Sequence, residues 1–350
     1  MMLYNQKNIL KFNLLILFLL YIIIFAGGVV RSTGSGMGCP DWPKCFDNWI
    51  PPLNKNQLSK NYKKIFYKKR IEKNNRVFSF FKKIKLFKSL KNINNEYNIR
   101  SESNFNLLKT WIEYVNRLIG VALGIVVLFN FIILFLYYKK INKIVFLSGI
   151  VLILTIIQGF IGSLVVSTHL LPFLVTLHML ISLIIMMLLI LIISLIKSLK
   201  LVFYKSLYIR KIYITLSIIL SFSIFQILLG TQLRESVSLI SNILLNTSRD
   251  SWLQYSGIKF KIHRTFSLFY LLLHFYLLYL FYKYKNKFFF KISSALLFFV
   301  LLIIFIGFFL SYFNMPVLIQ PLHLLFSTII FSIQLYLIFI LKFSKKIKNL

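Results

Sequence analysis

The chain has 350 residues, of which 58% are hydrophobic, 17% aromatic and only 14% charged. Length alone would allow two or three soluble domains, but this composition excludes them and places the chain in a bilayer. Its 42 Lys and Arg against 8 Asp and Glu give a net charge of +34. The positive residues fall between long apolar runs, so membrane topology accounts for them and nucleic acid is not expected as a partner.

A membrane helix needs about 20 mostly apolar residues. Eight such runs are predicted, over residues 12–30, 112–138, 144–166, 173–196, 212–233, 264–282, 292–312 and 322–341. The first is longer than a signal peptide's apolar stretch of roughly 7–15 residues, and Gly27-Gly28-Val29-Val30-Arg31 does not read as a cleavage site, so it is expected to remain as a span. The short connections sort by charge. Lys7 and Lys11, Lys139 to Lys143, Lys197 to Lys211, Lys283 to Lys291 and Lys342 to Lys348 all fall on one side, whereas 167–172 and 313–320 carry no Lys or Arg. That side is expected to be cytoplasmic, with both termini on it. The long connection 31–109 carries 18 Lys and Arg on the other side, and long loops translocate largely regardless of charge.

Within that outer loop, Gly34-Ser35-Gly36-Met37-Gly38 is a flexible turn without the strand and helix of a nucleotide loop. Cys39 and Cys45 bracket two prolines in an oxidising place. Two cysteines cannot make a disulfide scaffold; a structural staple and a redox-active pair both stay open. Residues 54–107 are rich in Lys and Asn but include Tyr62, Ile65, Phe66, Ile71, Val77, Phe78 and Phe81. They read either as an amphipathic helix on the membrane surface or as a solvated insertion.

The two halves of the chain repeat. Gly162 precedes His178 by 16 residues and Gly307 precedes His323 by 16, with Pro172 and Pro316 between them. Asn116-Arg117 then corresponds to His263-Arg264, and, more weakly, Gly28 to Arg31 corresponds to Gly230 to Arg234. The fold expected is all-α and membrane-embedded, with eight transmembrane helices as two pseudo-symmetric four-helix bundles, residues 1–200 and 201–350.

Two imidazoles facing each other inside an apolar bundle are how a b-type haem is axially ligated, which makes His263 and His323 candidate iron ligands. Helix–helix hydrogen bonding is the alternative. Zinc is not expected, because no carboxylate or thiol shares their depth. In the first half His178 stands opposite Asn116, so an iron there has at most one imidazole from this pair, which suits a reactive haem; a histidine lost to drift is the competing reading. His169 is expected at the surface. His274 lies on the His263 face about 16 Å deeper, where it is expected to bond a neighbouring helix. Glu113 shares a face with Asn116 and is either a proton acceptor or the i, i+4 partner of Arg117. Arg31, Arg117, Arg234 and Arg264 sit at outer ends, where guanidinium groups bind haem propionates or snorkel to the interface.

Several stretches resemble the haem A synthase family: Gly27 to Cys45, Trp111-Ile112-Glu113-Tyr114-Val115-Asn116-Arg117-Leu118, Gln158 to Ser163 with His178, His263-Arg264-Thr265, and Gln320-Pro321-Leu322-His323. The resemblance implies an eight-helix enzyme, an oxidoreductase that converts the C8 methyl of haem O to the formyl of haem A for cytochrome oxidase. It implies haem b on His263 and His323, a substrate haem O site on Glu113, Asn116 and His178, and the family's outer cysteine pair at Cys39 and Cys45. The family often has histidine where Asn116 stands, so the sequence departs there. The implied partners are a haem O synthase that supplies substrate, an electron acceptor such as quinone, membrane lipids and a second copy of the chain, with the bacterial inner membrane as location. A non-catalytic dihaem cytochrome fed by quinol and a membrane transporter are the rival readings.

Overall fold

The computed structural model describes residues 6–83, 104–138, 142–168, 170–198, 202–204, 207–243, 252–253, 255–343 and 345–347. His169, Lys139, Lys140, Lys200, Lys205, Lys348 and the stretch 84–103 of the basic loop lie outside the described residues. Eight helices are long and apolar enough to cross a bilayer. In chain order they are α1 (Gln6–Ser32), α3 (Leu107–Tyr138), α4 (Lys143–Ser167), α5 (Pro172–Ser198), α6 (Leu207–Ile243), α7 (Ile258–Lys283), α8 (Lys287–Tyr312) and α9 (Ile319–Phe343). A further helix, α2 (Tyr62–Lys83), lies in the basic loop, and Val202–Tyr204 pairs in parallel with Lys345–Ile347. The spans agree with the eight apolar runs and extend past most of their ends, because polar and basic residues continue a helix beyond the hydrocarbon zone. The chain is an integral membrane protein.

Packing follows chain order. α1, α3, α4 and α5 close one ring, and α6, α7, α8 and α9 close another. The rings are joined by α9, which packs on both α1 and α5. The most apolar windows of α5 and α9 are accordingly 56% buried, against 22% for α1 and α3. In lipid the hydrophobic effect does not drive helices together, so close backbone approach matters more. Gly28 of α1 supplies it: a β-carbon there would lie 2.8 Å from Cβ of Pro321 on α9. Asn142 and Asn286 start α4 and α8 by accepting hydrogen bonds from the backbone N–H groups of Ile144 and Val145, and of Phe288 and Phe289.

The apolar core is concentrated at the end of the rings where these two asparagines sit. Ile16, Leu134, Met186 and Leu189 are fully buried in the first ring, and Phe281 stacks on Phe289 at 5.4 Å in the second. The opposite end is hollow, and it carries the cysteine loop.

Helix α2 packs on the cysteine loop through its first turns. Its face of Tyr62 and Phe66 is buried against Phe46 and the cysteine loop, with the Phe46 ring edge-on to Tyr62, Phe66 and Phe105 at 5.6–5.9 Å. The hydroxyl of Tyr62 accepts from the Phe105 backbone N–H. A stripe of aromatics cannot say whether lipid or protein will cover it; protein covers Tyr62 and Phe66, Ile65 is exposed, and the side chains of Val77, Phe78 and Phe81 lie outside the described residues.

Candidate functional site

The site is built around the first turns of α3, where Thr110, Glu113 and Arg117 share a face and grip the loop 38–44. Thr110 Oγ1 donates to the Gly38 carbonyl at 3.0 Å, and the Cys39 backbone N–H donates to Glu113 Oε2 at 2.9 Å. Arg117 bonds the carbonyls of Asp41 (2.7 Å), Lys44 (3.0 Å) and Cys39 (3.3 Å), and pairs with Glu113 Oε1 at 2.5 Å. The i, i+4 pair read from spacing is therefore present, and both of its members also hold the loop. Glycine is required at position 38, where any side chain would run into the Lys109 carbonyl and the Thr110 nitrogen. Cys39 and Cys45 form a disulfide and are fully buried. Asp41 completes the loop by accepting from the Phe46 and Asp47 N–H groups.

Below this loop each of the four repeat-related residues packs on a glycine of the preceding helix in its ring. A β-carbon on Gly27 would lie 3.9 Å from Asn116 Oδ1, and one on Gly162 would lie 3.6 Å from His178 Cε1. The distances to Cε1 are 3.6 Å for Gly230 and His263, and 3.4 Å for Gly307 and His323. The partner of Gly230 is thus Gly27, one residue earlier than the sequence comparison placed it, and this register also aligns Arg31 with Arg234. Gln158 and Gln226, each four residues before its glycine, donate to the carbonyls of His178 (2.9 Å) and His263 (3.1 Å) and so hold those two helices at a fixed height. The Gln-x-x-x-Gly spacing was visible in the sequence as a signal for both glutamines.

All four residues line one cavity of about 2260 Å³ that reaches into both rings. Ligand pockets commonly measure roughly 300–1,000 Å³, so this one has room for more than one large ligand. Its wall also includes Glu113 and the four arginines at positions 31, 117, 234 and 264. Arg234 reaches the Arg31 carbonyl at 3.3 Å, and Arg264 lies over the Phe260 ring. Nδ1 of His178, His263 and His323 and Oδ1 of Asn116 are buried without a hydrogen-bond partner. Buried polar atoms are normally satisfied, so four orphans around one cavity ask for a ligand or an ion.

The His263 and His323 rings face each other with centroids 6.4 Å apart and planes at 60°. An imidazole nitrogen bonds a transition metal at roughly 2 Å, so two rings on opposite sides of one iron stand about 6 Å apart. The pair fits a haem. His274 is where the sequence reading expected it, bonded to a neighbouring helix: its Nδ1 contacts the Tyr270 carbonyl at 2.7 Å and its Nε2 meets Gln334 of α9 at 3.1 Å. Sequence reasoning missed Tyr270, Gln334 and Ser223, which complete that cluster; His274 itself was the only signal for it.

A family model described as cytochrome oxidase assembly protein, COX15-CtaA, matches residues 11–92 and 83–335. The chain belongs to that family. Among curated proteins it is 30% identical over 168 residues to a haem A synthase of Flavobacterium psychrophilum, covering 48% of this chain and 43% of the relative. It is 32% identical over 172 residues to the haem A synthase of Pelagibacter ubique, with the same coverages. With that of Bartonella bacilliformis it shares 29% over 169 residues, 47% of this chain and 40% of the relative. The alignments span less than half the length of these relatives, and no solved structure matches. The family membership agrees with the resemblance carried by the loop and histidine stretches.

Proposed function

We propose that the chain is a haem A synthase, which oxidises the C8 methyl of haem O to a formyl group and so provides haem A to cytochrome oxidase. The observation that carries this reading is the opposed pair His263 and His323, which shares one cavity with His178, Asn116 and Glu113. His263 and His323 would hold a haem b, which supplies one-electron transfer when bound. His178 would hold the substrate iron. Its unpartnered ring nitrogen and the neighbouring Gly162 leave it free of competing bonds. Asn116 offers a weaker oxygen where relatives often carry histidine, and that leaves one face of the substrate site accessible.

Turning a methyl into an aldehyde removes electrons in two successive steps, with protons released and oxygen incorporated. Glu113 lines the cavity, as does Glu235, and would accept a proton or place a water there. Arg117 balances its charge and keeps it pointed inward. Arg31, Arg234 and Arg264 would receive haem propionates; Arg117, committed to the loop carbonyls, would hold the lid above them. The buried disulfide acts as a staple of that lid.

The same reading makes the two rings products of duplication, with residues 1–200 housing the substrate and 201–350 the haem b. It places the loop end at the outer face of the bacterial inner membrane, with both termini inside. A haem O synthase would supply the substrate, and a quinone or another carrier would take the electrons. The test is haem analysis of cells that express this chain beside a haem O supplier. Haem A should appear with the chain and not without it. Haem B alone in the purified protein would favour the dihaem cytochrome, and a pigment-free protein would favour a transporter.

A further inference from the structure

The two rings differ below the level of the histidines. In the first ring the cavity continues inward past Leu20, Leu123 and Ile185, each seven residues from Gly27, Asn116 or His178. Its floor is closed by Ile16, Val127 and Leu189, eleven residues away or about 16 Å by helical rise, which are otherwise packed in the core. That is about half the roughly 30 Å hydrocarbon core of a bilayer. The polar side chains at intermediate depth, Thr155 and Ser182, are already bonded to the carbonyls of Val151 and His178, so the wall presents aliphatic surface only.

In the second ring the lining ends at Ser223, Tyr270 and Ile330, seven residues from Gly230, His263 and His323. The next turn down holds His274 and Gln334, and neither reaches the cavity. A closed set of buried hydrogen bonds fills the space. Tyr270 and Ser223 join their hydroxyls at 2.7 Å, Ser223 donates to Gln334 Oε1 at 2.6 Å, and Gln334 Nε2 donates to Tyr270 at 2.6 Å and toward His274. Because His274 Nδ1 faces a carbonyl, it carries the ring proton and leaves Nε2 as acceptor. Opening this cluster would strand several polar groups in an apolar interior.

Width differs in the same sense. Gly124 and Gly159 line the first-ring cavity, with nothing within 4 Å of where a β-carbon would project. The residues at the same spacing from His263 and Gly307 are Leu271 and Ile304.

We infer that the deep part of the first ring is a shaft for a long hydrocarbon chain carried by a porphyrin, and that the Ser223–Tyr270–Gln334–His274 cluster is a stop that restricts the second ring to a porphyrin without one. The inference rests on the proposed reading and deepens it, since haem O differs from haem b by its isoprenoid chain. Continuity of the shaft with the cavity wall at His178 and Asn116 favours a chain attached to the ligand held there.

The test uses the full-length protein in nanodiscs and two variants that fill the shaft, Val127→Phe and Leu189→Phe. Titration with haem O and with haem b, followed by the change in the Soret band, should show each variant binding haem O at least ten times more weakly. Haem b at the second ring should be unchanged, which also reports on folding. Unaltered haem O affinity in both variants would overturn the shaft, as would equal loss of both haems. So would loss of a co-purifying phospholipid with haem O binding intact, because a lipid chain would then be the occupant. Conversely, the double variant Tyr270→Leu, Gln334→Leu should take up haem O in the second ring, and continued exclusion of haem O there would overturn the stop. Wild-type protein that prefers haem O yet forms no haem A would leave the shaft standing and sink the assigned reaction. Normal conversion by Val127→Phe would do the opposite.

Discussion

The His323 ring rests directly on the α-carbon face of Gly307, with Cε1 3.4 Å from where a β-carbon would be. A methyl group there sits at the near limit of van der Waals contact with the ring, whereas a branched side chain forces the ring to move. Gly307→Val should therefore turn His323 out of line with His263 and cost about 1–3 kcal/mol of packing strain. The expected outcome is a folded protein with little low-spin haem b, checked by the visible spectrum of the purified variant; Gly307→Ala should retain most of it.

Glu113 makes two separable contributions, one to the loop and one to the cavity. Glu113→Gln keeps an oxygen to accept from Cys39 but cannot take a proton; like Glu113→Ala, it leaves the mostly buried Arg117 without its counter-charge, at a cost of roughly 3–5 kcal/mol. Both should stop haem A formation in co-expressing cells and lower thermal stability, the alanine variant more, because it also loses the hydrogen bond from Cys39. Full conversion by Glu113→Gln would confine this residue to holding the loop.

The two haem sites should separate by mutation. His263→Ala or His323→Ala should abolish haem b loading, while His178→Ala should leave it in place and remove haem O binding, since His178 belongs to the other ring. Pyridine haemochrome analysis of the three purified variants distinguishes them.

Replacing Cys39 and Cys45 with serine should cost about 2 kcal/mol, as a disulfide closing so short a loop constrains the unfolded chain little. The loop should stay in place because Arg117, Glu113 and Asp41 hold it independently. Labelling of the native protein with a thiol reagent, without reductant, should give no signal from either position.

Lys73 of α2 is pushed below its ordinary pKa, first by burial and then by the Arg117 charge, with Asp41 opposing. Its charged form is therefore disfavoured in the folded protein. The penalty is fully present below the lowered pKa and fades as pH rises toward the unfolded value of about 10.4. Lys73→Gln should raise the melting temperature slightly at neutral pH, with the gain shrinking as pH approaches that value.

The spans and the histidine pair were legible because lipid imposes long apolar runs and makes a histidine within them rare. The contacts of Gly27 were less so: adjacent glycines at 27 and 28 point to different neighbours, Asn116 and Pro321, and only packing tells them apart. The cover of α2 was unreadable because Tyr62 and Phe66 suit lipid and protein equally well. The stop in the second ring depends on Tyr270, Gln334 and Ser223, three ordinary residues on three helices that gain meaning only when brought together with His274.

The grip of Arg117 and Glu113 on the loop bears on the order of biosynthesis. The loop leaves the ribosome before α3, so its carbonyls have no guanidinium to meet until the second span has been delivered to the membrane. The cysteines, only six residues apart, can join earlier. Oxidation can thus precede docking, and a chain arrested before residue 113 would present a stapled but unanchored hairpin to the translocation machinery.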